Sequence, residues 1–286
     1  MSKDSGTHKE VGGAYANYVL IVLMIVYIFN FIDRNILSIL AEDIKADLGI
    51  TDAQMGFLYG TVFAVFYAVF GIPLARFADV WTRRSLISIG LGFWSLMTAA
   101  SGLARSFPVL AACRIGVGIG EASASPSAYS MLSDYYPRRL RATVIAVYAA
   151  GVYIGAGIGV FLGGLILDWW AATYPTNPPF GLKGWQVAFM MVGLPGLLMA
   201  IWVRTLREPQ RGMSEGLTTP AHPAPFRLLG EELMAILPPF NLRLLVGHPG
   251  ALKKNLLAAA CFALIAVLLI GLTGNIGQWL ATAIGV

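Results

Sequence analysis

Seven stretches of this chain are each about as long and as apolar as the core of a lipid bilayer demands. They run roughly over Tyr15–Leu40, Gln54–Ala78, Leu86–Leu103, Pro108–Tyr135, Thr143–Trp170, Trp185–Val203 and Asn255–Ile284. A helix needs about twenty apolar residues to cross the hydrocarbon layer, and it is one of the few backbones whose amides are all satisfied there. The pattern therefore predicts an all-α membrane protein. Composition agrees, because charged residues make up 12% of the chain and hydrophobic ones 57%, whereas a soluble domain is roughly a quarter charged. Tyrosine and tryptophan gather near the ends of the stretches (Tyr15, Tyr18, Trp81, Tyr135, Tyr136, Trp169, Trp170, Trp185, Trp202), as side chains with one wet edge do at a membrane interface.

The net charge of +5 invites a nucleic-acid reading, and its distribution answers it. With the N-terminus cytoplasmic, inner segments hold Lys3, Lys9, Arg76, Arg83, Arg84, Arg138, Arg139, Arg141, Arg204, Arg207, Arg211, Arg227, Arg243, Lys253 and Lys254. Outer loops hold Lys45, Arg105 and Lys183, and the first outer loop is acidic (Glu42, Asp43, Asp47, Asp52). That asymmetry is the positive-inside bias of a multi-pass protein of the cell membrane, so the basic excess reports topology and no nucleic acid is expected. The chain divides into a cytoplasmic tail over 1–14, a six-helix bundle over 15–206, a cytoplasmic linker over 207–254 and a seventh span over 255–286. Within the linker, Phe226, Leu229, Leu233 and Ile236 recur at helical spacing opposite Arg227, Glu231 and Glu232. This predicts an amphipathic helix on the inner leaflet, stopped by Pro238 and Pro239, or else a solvated linker helix.

Four charges fall inside the predicted spans: Asp33, Arg34, Arg114 and Glu121. Each costs about 2.5–3.5 kcal/mol at mid-bilayer on insertion scales, so they must pair or face water. Their signs balance. Asp33 and Arg34 lie late in the first helix, and Arg114 lies at a similar depth in the fourth, which makes Asp33–Arg114 a natural pair. Arg114 and Glu121 are seven apart, on one helix face and about 10 Å apart along it. A polar track running inward from the outer side results. A buried carboxylate that loses its arginine takes up a proton, which is what a proton-linked carrier requires; ion pairs that only lock helices together are the alternative.

Glycine spacing points to packing. Gly116 and Gly120 are four apart, and Gly151, Gly155, Gly159 and Gly163 form an unbroken stripe at the same spacing, which lets helix backbones touch. The superficial G-x-G-x-G runs lack the preceding strand of a dinucleotide site. Pro126, about one turn beyond Glu121, is expected to kink the fourth helix there. Cys113 and Cys261 lie in apolar runs, and His8, His222 and His248 lie outside the spans. No metal, disulfide or cofactor pattern is visible.

Three segments resemble a known family: FNFIDRNIL in the first helix, RIGVGIGEASASPS in the fourth, and TLREPQRG after the sixth. Over about residues 15–212 the chain resembles the major facilitator superfamily, and within it the Spinster-like carriers. The superfamily's inner loop G-x-x-x-D-R-x-G-R-R has its counterpart in Ala75-Arg-Phe-Ala-Asp79-Val-Trp-Thr-Arg83-Arg84. Resemblance implies that Asp79, Arg83 and Arg84 latch an inner gate. The antiporter motif G-x-x-x-G-P-x-x-G-G is matched by Gly155 to Gly164, with Val160 where the motif has proline.

The resemblance implies an N-terminal six-helix bundle made of two inverted three-helix repeats, joined here to a linker and a seventh transmembrane helix. It further implies a secondary active transporter, proton-coupled, moving a lysophospholipid, a sphingoid-type lipid or a small organic anion. On that basis Asp33 and Glu121 are the coupling acids, and Arg34 and Arg114 hold an anionic headgroup or partner the acids. The expected partners are the bilayer, protons, the substrate and a second six-helix half, which is absent from this chain. A truncated, non-transporting fragment is therefore one expectation, and a drug or metabolite antiporter is another. A seven-helix receptor or light-driven pump is disfavoured, since no lysine lies between Asn255 and Val286. An intramembrane enzyme is disfavoured because the neighbouring arginines keep both acids ionised.

Overall fold

The computed structural model describes residues 11–217, 222–236, 249–274, 276–277 and 279–280, and among these the regular structure is entirely helical. The first predicted span is α1 (Gly13–Ile39). The acidic loop after it folds into α2 (Ala41–Leu48), which ends at Gly49 with φ of 63°, a conformation glycine adopts without steric cost. The second span is α3 (Asp52–Gly56), a single π-turn over Phe57–Thr61, and α4 (Val62–Val80) in continuous succession. The third is α5 (Arg83–Ser101). The fourth is α6 (Phe107–Glu121) and α7 (Ala124–Tyr135). The rest are α8 (Arg138–Thr173), α9 (Gly184–Arg204), α10 (Pro225–Ile236) and α11 (Pro249–Thr273).

Six of these helical stretches are long and apolar enough to cross a membrane by length and composition: Gly13–Ile39, Asp52–Val80, Phe107–Tyr135, Arg138–Thr173, Gly184–Arg204 and Gly250–Thr273. The expected third span is outside that set. Its helix, α5, opens on two arginines and carries Ser85, Ser88, Ser95, Thr98 and Ser101, all buried. Its hydroxyl-bearing face is turned into the bundle, whereas Ile89, Phe93 and Leu96 are exposed. Gly193 and Gly196 of α9 admit it, since a Cβ at Gly193 would stand 2.5 Å from the Ala99 nitrogen.

The glycine stripe of α8 seats α1. Gly151, Gly155, Gly159 and Gly163 are all buried, and a Cβ at Gly155 would lie 2.5 Å from the Ile28 carbonyl. Gly120 meets Trp94 and the Gly90 carbonyl, while Gly116 meets Met97. The fourth span breaks at Ala122–Ser123, four residues before the expected kink at Pro126. In an unbroken helix the Pro126 ring would collide with the Ala122 carbonyl. Here Pro126 falls in the first turn of α7, where an amide hydrogen is not needed, and the hydroxyl of Ser123 donates to the Gly120 carbonyl (2.8 Å).

The predicted amphipathic helix forms as α10, and part of its apolar face lies against protein while Phe226 is 63% exposed. Phe226 packs against Phe77 and Trp81 with ring centroids 5.5 and 5.3 Å apart, Leu229 joins the same cluster, and Glu232 pairs with Arg76 (3.1 Å). Pro238, Pro239 and His248 lie outside the described residues, as do the tail through Glu10 and the end of the seventh span from Ala281. In α11, 6% of the apolar window is buried.

Candidate transport site

Two apolar cores stack along the bundle. One gathers Val19, Leu23, Trp94, Val117 and Met131; the other gathers Ile36, Leu37, Leu58, Leu110 and Phe189. The four intramembrane charges sit at their junction, on α1 between Val26 and Ile36 and on α6 on either side of Val117.

They form two unlike pairs. Arg114 Nη1 donates to Asp33 Oδ1 at 3.3 Å, and the hydroxyl of Thr98 donates to Asp33 Oδ2. The side chains of Asp33 and Arg114 are 3% and 2% exposed, so this pair is sealed. Arg34 Nε donates to Glu121 Oε2 at 2.7 Å; Glu121 is fully enclosed, but 26% of the Arg34 side chain is accessible. The Arg34 guanidinium carbon lies 5.0, 4.7 and 4.8 Å from the ring centroids of Phe31, Phe63 and Tyr67. Aromatic faces attract a cation at such distances and fix its orientation. Gly118, midway between Arg114 and Glu121, lets α4 come this close: a Cβ there would stand 2.9 Å from the Phe63 carbonyl.

Buried polar atoms are almost always hydrogen-bonded, and this cluster departs from that rule. Asn30 Oδ1, Arg114 Nε and Glu121 Oε1 are buried without a partner among the described residues. The cluster is balanced in charge but not saturated in hydrogen bonds.

At the basic end of the bundle the expected latch residues separate. Arg83 is fully buried and has a partner at each side-chain nitrogen. Its Nε donates to Glu208 (2.8 Å), its Nη1 to Ser130 (2.8 Å) and Asp134 (2.5 Å), and its Nη2 to the Pro209 carbonyl (2.9 Å). Glu208 also accepts from the backbone amides of Arg83 and Arg84, an acid at the positive end of α5. Arg84 Nη1 donates to the Leu206 carbonyl (2.6 Å). Asp79, the acid of the same motif, makes no hydrogen bond or ion pair among the described residues and is exposed.

Arg211 donates instead to the Ala78 and Trp81 carbonyls (2.6 and 2.5 Å) at the end of α4. Burial, then repulsion from Arg83, pulls the Arg211 guanidinium below its ordinary pKa. Beyond it, Gly212 donates to Asp134, and Glu215 meets Arg138 and Arg141 (both 3.0 Å). Residues 206–215 thus strap the basic ends of α4, α5, α7 and α8 together.

Sequence reasoning did not single out Thr98, Phe31, Phe63, Tyr67, Asp134, Glu208 or Arg211 for these roles. Glu208 and Arg211 stood in the TLREPQRG segment, and that was their only signal.

The sequence profile described as Major Facilitator Superfamily matches residues 23–285 of the chain. The chain belongs to that superfamily. A solved bacterial homolog of the human lysosomal transporter Spinster, in an inward-facing and occupied conformation, superposes with a TM-score of 0.67 at 38% identity, over 72% of this chain and 47% of that one. This major facilitator chain is of the Spinster type. Among curated relatives, an MFS-type efflux pump of Mycolicibacterium smegmatis is 31% identical over 179 residues, covering 63% of this chain and 39% of its own length. A hexuronate transporter of Bacillus subtilis is 29% identical over 209 residues, covering 72% and 46%. The chain therefore spans less than half the length of each, and the relatives are transporters rather than enzymes. It is a multi-pass membrane protein.

Proposed function

We propose that this chain is the N-terminal half of a proton-coupled secondary carrier for an anionic substrate, either an amphipathic lipid or a small organic anion. The observation that supports the reading is the inequality of the two buried pairs. Asp33 is held on both oxygens, whereas Glu121 is held on one, by an arginine that remains partly accessible. An anion arriving at Arg34 competes with Glu121 for the guanidinium. Glu121 is then an enclosed carboxylate without its counter-charge, and such a group takes up a proton rather than stay ionised. Anion and proton thereby enter together, and their departure restores the Arg34–Glu121 pair. Asp33 and Arg114 hold α1 to α6 while that exchange proceeds. The basic end faces the cytoplasm in this reading, in accord with the positive-inside rule, and a second half supplies the opposite wall of the site.

The experiment uses the complete carrier in proteoliposomes. Glu121→Gln is expected to retain exchange of substrate down its own gradient and to lose accumulation driven by a pH gradient. Full pH-driven accumulation by that variant would remove Glu121 from the coupling role. The efflux-pump relative favours an antiporter as a second reading. The sign of the pH gradient that drives movement separates the two.

A further inference from the structure

Most arginines at the basic end are spent on partners. Arg76, Arg138 and Arg141 pair with glutamates, and Arg83, Arg84 and Arg211 are bonded within the strap. At the end of α9 two are not. Arg204 and Arg207 are exposed, and neither guanidinium has a hydrogen-bond or ion-pair partner among the described residues. Arg207 is nevertheless fixed in place. Its backbone amide donates to the Tyr15 hydroxyl (2.8 Å), its carbonyl accepts from the Tyr135 hydroxyl (2.7 Å), and its guanidinium carbon lies 4.9 Å from the Tyr15 ring centroid. Tyr15 continues to Tyr18 and Tyr18 to Trp202, with centroids 5.7 and 6.4 Å apart. The Trp202 indole donates to the Tyr18 hydroxyl at 2.6 Å, and the hydroxyl's own hydrogen has no acceptor among the described residues. Rings with one wet edge mark the level of a membrane interface. From that level toward mid-membrane the exposed residues of α1 and α9 are apolar: Ile21, Leu194, Leu198 and Ile201.

We infer that this corner of α1 and α9 holds one anionic phospholipid of the surrounding bilayer, its phosphate at Arg204, Arg207 and the Tyr18 hydroxyl and its acyl chains along the apolar faces beneath. The lipid is a fixture and not the cargo, since nineteen residues of α1, about 28 Å of helix, separate Tyr15 from Arg34. Two unpaired guanidiniums beside a free hydroxyl suit a phosphate oxygen, which accepts charge-assisted hydrogen bonds. A phosphatidylcholine is disfavoured because it brings a cation of its own to a corner that already holds two. A free phosphate is disfavoured because it leaves the apolar faces unused. Arg207 also precedes Glu208, the acid that accepts from Arg83, so a lipid that holds Arg207 fastens the strap from the membrane side.

The test is native mass spectrometry of the complete carrier, titrated in detergent with phosphatidylglycerol, phosphatidylcholine or inorganic phosphate. One phosphatidylglycerol should be retained in preference to phosphatidylcholine, and inorganic phosphate should not displace it. Arg204→Gln and Arg207→Gln should each weaken phosphatidylglycerol about fivefold, the effect of one basic side chain near a membrane surface. Tyr15→Leu, which removes the ring under Arg207, should weaken it less. Lys253→Gln, an equal loss of charge at an exposed residue of α11, should leave it unchanged. Equal retention of the two lipids by the parent overturns the inference. So does a Lys253→Gln effect as large as that of Arg207→Gln, which would make the preference one of net charge. Displacement by inorganic phosphate would show that the acyl chains contribute nothing, and overturns it as well. As a second measurement, phosphatidylglycerol should raise the melting temperature of the parent in phosphatidylcholine nanodiscs, and should do so less for the double variant Arg204→Gln, Arg207→Gln. An equal rise in that variant overturns the fastening role. Folding of each variant is checked by its elution and circular dichroism.

Discussion

The basic end and the junction between the two cores both pair arginines with acids, yet they differ in how fully those groups are bonded. Arg83 spends every nitrogen on a partner, and its acids, Glu208 and Asp134, are in turn shared with backbone amides. At the basic end Arg84 Nε is buried without a partner among the described residues, whereas in the interior Asn30 Oδ1, Arg114 Nε and Glu121 Oε1 all are, and Arg34 lies against three rings. A densely bonded network favours one arrangement and acts as a fastener. An undersaturated one costs less to rearrange, since fewer bonds are lost when a partner leaves. The contrast assigns locking to the strap and exchange to the interior.

The largest expected effect breaks the fastener. Arg83→Ala strands Asp134 and Glu208, and removing one partner of a buried ion pair costs about 3–5 kcal/mol. Unfolding of the purified protein in detergent, followed by denaturant, should show a loss of that order. A variant as stable as the parent would show that the strap is not what fastens the basic ends. Next comes the contrast within the interior. Asp33→Asn removes the charge from a sealed, doubly bonded carboxylate, and hydrogen bonds to charged groups are worth about 1.5–3 kcal/mol. Glu121→Gln, whose second oxygen already lacks a partner, should cost less. Equal losses in the two variants would erase the distinction between a sealed pair and an open one.

The charges themselves were legible because a bilayer makes every one of them expensive. Asp33, Arg34, Arg114 and Glu121 stood out by position alone, and the depth match of Asp33 with Arg114 was readable from helix geometry. The glycine stripe of α8 was legible for a similar reason, since a backbone contact leaves a period of four. The rest depended on tertiary placement. Phe31, Phe63 and Tyr67 are ordinary residues of apolar helices, and only the seat at Gly118 brings the α4 rings to Arg34. Thr98 lies on a helix expected to be apolar whose buried face is rich in hydroxyls. Glu208 and Arg211 stand in a segment whose resemblance names no partners for them, and Glu215 falls in the predicted linker. Asp79 matches a motif, and Arg83 of the same motif bonds to acids distant in sequence, Asp134 and Glu208.

The smallest effect tests the outer margin of the strap. Glu215 is hydrogen-bonded by Arg138 and then by Arg141, and these contacts hold its carboxyl below the ordinary glutamate pKa. A carboxyl depressed in the folded state stabilises that state above the ordinary glutamate range. The contribution fades as pH falls through the lowered value, because protonation then occurs in both folded and unfolded chains. The groups are solvent-exposed, so the contribution is small and screened by salt. The melting temperature of Glu215→Gln should therefore lie slightly below that of the parent at neutral pH and low salt, and the gap should close in acid and in high salt. Against it stands Arg83→Ala, whose deficit arises from enclosed groups and should persist in high salt. If the Glu215 gap instead widened in acid, or ignored salt, the strap would have no graded edge and the whole basic end would act as one buried fastener.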